Sequence, residues 1–322
     1  MTPSLASRIR GFRQRALEKG LSETLRRALL ARLANPGEGL PFSRINPTGL
    51  FASDVSALHE EERKRIRASS FLMDASQVES TYPHHIESNG RILRFAYLPA
   101  REKPRGLVVL FHGHDAFLHM GPLAPWREFD VLAPWDTFGY KRQGSWFWGE
   151  KGQAFVEALV QDLIQRHLAK MPGLPWFVTG ASMGGFGALW HGLKFGANGV
   201  YIQCPQIDLA RKIVDFGSDE PTNPYRHLRG GDGAMLPDLL ALAKSQADLP
   251  PLFLIQNQYD HINPFAEHAW KLLEIYNSKS AWYGLRIHPS IGHGGDGSQA
   301  EAEMFFACLI DKSPARRFKR ES

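Results

Sequence analysis

Apolar and polar positions along this 322-residue chain fall into two regimes. From Ser4 to Leu33, the residues Leu5, Ile9, Phe12, Leu17, Leu21, Leu25, Leu29 and Leu33 recur at helical spacing. That pattern predicts an amphipathic helical pair, broken at Gly20 and restarted at Ser22. A loop rich in Gly, Pro and Asn follows over 35–49, then a charged stretch, 60–67, that reads as a short exposed helix. Beyond residue 80, short apolar runs alternate with helical periods. Residues 84–87 and 91–98 flank Ser88-Asn89-Gly90 and predict a hairpin, because Asn-Gly supplies the positive φ angles of a tight turn. Further strands are predicted at 106–111, 129–133, 176–179, 199–203, 252–256 and 281–288. Helices are predicted at 151–170, 184–195, 237–244, 264–276 and 298–310. Strands alternating with helices imply an α/β fold, a mainly parallel central sheet with helices on both faces.

Between 205 and 250 the periodicity weakens, and Pro, Asp and Gly punctuate short helical pieces. An irregular insertion of this size beside a regular alternation is where a lid over a site is expected. The expected organisation is an N-terminal helical extension and arm (1–79), an α/β domain (80–312) with the lid-like insertion, and a basic tail (313–322). No internal repeat or low-complexity tract interrupts it.

Composition changes this picture little: 43% apolar and 22% charged residues suit a folded domain. The net charge of +5 is concentrated at the ends, in Arg8, Arg10, Arg13 and Arg15 and in Arg316, Arg317, Lys319 and Arg320. No aromatic residues interleave with these clusters through the middle of the chain, so no nucleic-acid partner is expected. The basic helices are expected to pack on the main domain or a second subunit, with peripheral membrane contact the lesser reading. The two cysteines, Cys204 and Cys308, lie in apolar segments and are expected as free buried thiols in a reducing compartment. No leader-like apolar core and no run near the ~20 apolar residues of a membrane span is present, which points to a soluble, cytoplasmic protein.

The candidate chemistry centres on Trp176 to Gly196. Gly180-Ala181-Ser182-Met183-Gly184 fits G-x-S-x-G, a serine on a sharp turn from strand to helix whose hydroxyl stands clear of the sheet. The flanking glycines answer a close approach of helix and strand that a Cβ would obstruct. A serine hydroxyl is a weak nucleophile without a base, and the base needs an orienting partner. Asp260, in QNQYDHINP, follows one predicted strand, and His293, in SIGHGGDG, follows the last. The order Ser182, Asp260, His293 is the one this strand arrangement predicts. Asp260 has an alternative role, capping a helix that begins near Asn263 or Pro264. His293 competes with His114, His261, His268 and His288, and it alone combines flanking glycines with a place after the last strand.

Acyl transfer also requires oxyanion donors. The N–H of Met183, at a helix start, supplies one, and the N–H of His114, after the 106–111 strand, is the expected second. His112, His114 and Asp115 have metal-ligand chemistry but no matching cluster elsewhere, so neither a metal nor a cofactor is expected. Trp146, Phe147 and Trp148 read equally as core packing or as an aromatic wall, with Trp146 and Trp148 the substrate-binding candidates.

Through FHGH, GASMGG, the Asp260 turn and the GHGG loop, residues 80–311 resemble the α/β-hydrolase superfamily of serine esterases, lipases, peptidases and acyltransferases. A looser resemblance, through GSWFWG, GASMGGFGALWHGLKFGA and CPQIDL, is to hydrolase-like proteins of bacterial capsule and glycan assembly. The resemblance implies a Ser182 nucleophile, a His293 base, an Asp260 orienter and an acyl-enzyme. It leaves open an esterase acting on a small acyl or O-acylated glycan, an acyltransferase with the same triad, a peptidase, and a scaffold without catalysis.

Overall fold

The computed structural model describes residues 81–114, 124–140, 143–215, 223–229 and 236–312. The expected N-terminal helices, the arm and the basic tail lie outside the described residues, as do 216–222 and 230–235 of the lid-like insertion.

Eight strands form one sheet: β1 (His84–Ser88), β2 (Arg91–Leu98), β3 (Gly106–Phe111), β4 (Phe129–Trp135), β5 (Trp176–Ala181), β6 (Val200–Gln203), β7 (Leu252–Tyr259) and β8 (Tyr283–Ile291). Their order across the sheet is β1-β2-β4-β3-β5-β6-β7-β8. β1, β2 and β4 pair antiparallel, and every pairing from β4 through β8 is parallel. The hairpin turns at Asn89 and Gly90, both at positive φ, as the Asn-Gly signal requires.

The helices are α1 (Phe155–Leu168), α2 (Met183–Phe195), α3 (Leu209–Asp215), α4 (Leu239–Ser245), α5 (Ala269–Ser278) and α6 (Gln299–Lys312). Helix α1 starts later than its periodicity predicts. Lys151 and Gly152 adopt positive φ and donate to the carbonyls of His227 and Leu228, so this stretch is spent tying the body to the insertion.

Both faces of the sheet are covered, which is why its central strands are almost uniformly apolar. Leu107 and Val109 of β3 enter the larger core, with Val160 and Leu163 of α1 and Phe186 and Leu189 of α2. Val108, between them, points to the opposite face and joins Phe177, Tyr201 and Phe306 of α6. The alternation follows from the two-residue period of a strand. At the crossover from β5, α2 lies so close that a Cβ on Gly184 would sit 2.1 Å from the Phe111 carbonyl oxygen. A Cβ on Gly180 would sit 2.3 Å from the Gly184 oxygen, so both glycines of the serine turn are fixed by contact. Among the described residues no helix is long and apolar enough to cross a membrane.

Candidate active site

Ser182 stands between the end of β5 and the start of α2 with φ 55° and ψ −116°. A non-glycine residue there is strained by ~1–3 kcal/mol, so its surroundings must hold it. Its N–H donates to Gln203 O at 3.0 Å, and its carbonyl accepts from Phe186 N and Gln206 N, each at 3.1 Å. The turn is therefore clamped to the end of β6 as well as to its own helix.

Asp260 follows β7 and His293 follows β8, and the structure brings them together: Nδ1 of His293 lies 2.8 Å from one Asp260 oxygen and 3.1 Å from the other. The Asp260 side chain is fully buried. Its Oδ1 also accepts from Ile262 N and Asn263 N, both at 2.9 Å, so the carboxylate caps its loop and orients the ring at once. With Nδ1 donating to the carboxylate, the neutral ring carries its lone pair on Nε2. Burial opposes charge on the ring, but the facing Asp260 and Cys204 outweigh it and raise the His293 pKa well above its ordinary value.

Asn257 shapes the histidine loop, a role its sequence context does not signal. Its side-chain amide donates to Gly292 O at 3.1 Å and its backbone N–H donates to Gly294 O at 3.1 Å, holding both neighbours of His293. A register shift between β7 and β8 falls in the same stretch, between Asn257 and Tyr259. Such irregularities re-aim side chains at strand ends.

Ser182 makes no side-chain cap bond to α2, which leaves its hydroxyl uncommitted to its own helix. Nε2 of His293 has Cys204 Sγ at 4.0 Å. Cys204 directly follows β6, which lies between β5 and β7 in the sheet. Of the two thiols expected to be buried, Cys204 is and Cys308 is exposed, because Cys308 lies on an outward position of α6.

Of the two oxyanion candidates, Met183 opens α2, where the first amides have no partner within the helix, and His114 follows β3 in the chain. His112 is buried behind them, with Nδ1 bonded to Gly113 O at 2.8 Å and Nε2 accepting from Asp136 N at 2.9 Å. Burial lowers the pKa of His112 to about 4, keeping it a neutral brace for the loop. Among the described residues, the His, Cys, Asp or Glu donor atoms that lie within 4.8 Å of one another in a group of three belong to Cys204, Asp260 and His293.

Trp146 and Trp148 do not form a ligand wall. Both are buried, and Trp146 is fully so, with its Nε1 donating to Gln206 Oε1 and its ring against Tyr225 and His114. The cause is Asp136, a buried carboxylate that accepts from Ser145 N at 2.7 Å and Phe147 N at 2.8 Å. This pulls Trp146 and Phe147 to φ 56° and turns the aromatic run inward. Of the competing histidines, His268 is buried with Nδ1 accepting from Ile207 N and Asp208 N, and serves as a brace for the stretch after β6.

No family model and no curated protein matches the chain. Solved structures do. An acylaminoacyl peptidase from Pyrococcus horikoshii matches with a TM-score of 0.51 at 12% identity, over 71% of this chain and 41% of that one. An S-formylglutathione hydrolase from Agrobacterium tumefaciens matches with a TM-score of 0.52 at 15% identity, over 71% of this chain and 94% of that one. The capsule O-acetyltransferase of Neisseria meningitidis serogroup A matches at 0.45 and 17% identity, over 71% and 94%, a likeness too loose to bear on activity. This chain spans about two-fifths of the length of the peptidase. Together with the strand order, the matches show the α/β-hydrolase fold.

Proposed function

We propose that the chain is a serine hydrolase that cleaves a small ester through an acyl-enzyme on Ser182. The observation that carries this reading is the His293–Asp260 pair, 2.8 Å apart, at the same carboxyl edge of the sheet as the strained serine turn. In the reaction, Nε2 takes the hydroxyl proton as Oγ attacks the ester carbonyl. Asp260 stabilises the imidazolium that forms. The oxyanion takes hydrogen bonds from the Met183 and His114 amides, at a helix N-terminus whose dipole also favours negative charge. The imidazolium then protonates the departing alcohol, and a water activated by the same ring releases the acid. A hydrogen bond from Ser182 Oγ to Nε2 in the substrate complex belongs to this reading, since catalytic hydrogen bonds tighten in the bound complex.

Hydrolysis of a short p-nitrophenyl ester tests it. Turnover by the parent that disappears in Ser182→Ala supports the reading, and equal turnover by both refutes it. Peptide substrates and added sugar acceptors in the same assay distinguish an esterase from a peptidase and from an acyltransferase, whose product would be acylated sugar in place of free acid.

A further inference from the structure

Nε2 of His293 has a sulfur as its side-chain partner. In the parallel register of β5 and β6, Ala181 pairs with Gln203, so Ser182 and Cys204 leave adjacent strands at the same level. Cys204 is fixed in place as firmly as the serine. It has φ 39°, its N–H donates to Ile255 O at 2.8 Å, and its carbonyl accepts from Asn263 Nδ2 at 2.7 Å. Its Sγ lies 4.0 Å from Nε2, while the opposite ring nitrogen is held by Asp260. A base whose lone pair faces a thiol, with a carboxylate behind it, is the arrangement that activates a cysteine.

We propose that Cys204 is a second nucleophile served by the His293–Asp260 pair, a site where a small disulfide captures the thiol and silences Ser182. The thiol passes its proton to Nε2, and the resulting thiolate attacks one sulfur of R–S–S–R. A new S–S bond joins Cys204 to RS, the old S–S bond breaks, and the departing RS⁻ takes the proton from Nε2 and leaves as RSH. The thiol is oxidised to a mixed disulfide as half of the reagent is reduced, and the ring returns to its neutral form. The group R then occupies the space in front of Nε2, where the serine hydroxyl would otherwise approach. Only 2% of Cys204 is exposed, which selects for small reagents. Cys308, exposed on α6, is the thiol without such a partner.

This inference uses the same histidine and aspartate as the function proposed above but does not require Ser182 to be the nucleophile. The experiment treats a Cys308→Ser chain with 2,2′-dithiodipyridine and follows thiopyridone release. The expected result is one equivalent released, with the mixed disulfide on the Cys204 peptide by mass spectrometry. Release should slow at least about tenfold in a His293→Gln background, where the base is lost, and be unchanged in Ser182→Ala. Ester hydrolysis should fall in step with release and return with dithiothreitol, while the hydrolysis that Cys204→Ala retains, or Cys204→Ser if the alanine chain does not fold, ignores the reagent. An unlabelled Cys204, a release rate indifferent to His293→Gln, or labelling without loss of hydrolysis would overturn the proposal. If the parent hydrolyses no ester, the release rates with and without His293 still decide.

Discussion

Asp260→Asn isolates the orienting carboxylate from everything else it touches. The amide keeps an oxygen for Ile262 N and Asn263 N, so the loop bonds at 2.9 Å survive. What changes is the face toward His293 Nδ1, now 2.8 Å from a carboxylate oxygen. An amide NH2 there prefers an unprotonated Nδ1, which moves the ring proton to Nε2 and removes the base. The charge that stabilises the imidazolium also vanishes. A comparable change in a serine protease costs ~10⁴ in kcat, or ~5.5 kcal/mol of transition-state stabilisation. Because one charge-assisted bond becomes a neutral one, folding should lose only ~1–2 kcal/mol, a shift of a few degrees in Tm. Ester hydrolysis and thermal melting on the same samples check both numbers. A cooperative fold with kcat/KM within about tenfold of the parent would refute the reasoning.

Gly184→Ala would press a Cβ to 2.1 Å from the Phe111 carbonyl oxygen, a backbone atom that cannot rotate away. The expected loss is at or above the ~1–3 kcal/mol usual for overpacking, read from a urea midpoint. Because His293 is raised well above 6.5, facing Asp260 from β7 and Cys204 from β6, with buried His268 more distant, the acid limb of kcat/KM should lie above that value. Cys204→Ala, which removes one of the raising influences, should move the limb to lower pH, and a limb below 6.5 in the parent would contradict this assignment. Burial lowers His112 and His191 to about 4 and His268 to about 3, so the unfolded chain binds protons that the folded one excludes. The contribution of these rings should then be full above the ordinary imidazole value and be lost on acidification, by up to ~1.4 kcal/mol per pH unit for each ring. An unchanged urea midpoint between neutral and mildly acidic pH would contradict that.

The sheet and the three strand-end residues were legible in the chain because their signals are local. Apolar runs mark β3, β5 and β7, and Gly180 and Gly184 mark the serine turn, each within a few residues. Cys204 was not legible as a partner of His293, since an apolar segment ending in CPQ reads as core. Only the sheet order, with β6 between β5 and β7, sets the sulfur before the ring. Trp146 and Trp148 failed for a related reason: their inward turn depends on Asp136, which acts through its hold on Ser145 and Phe147 across a loop. The start of α1 was mistaken because Lys151 and Gly152 are claimed by His227 and Leu228, contacts no helical period can announce.

A fluorophosphonate tests the central claim most directly, since it reacts with a serine only where a base has activated it. Mass spectrometry of the treated protein should find one phosphonyl adduct on the peptide carrying Ser182, missing in Ser182→Ala and in His293→Ala. A folded parent that takes up no adduct, or an adduct that persists in Ser182→Ala, would show that the hydroxyl at the end of β5 is not the activated group.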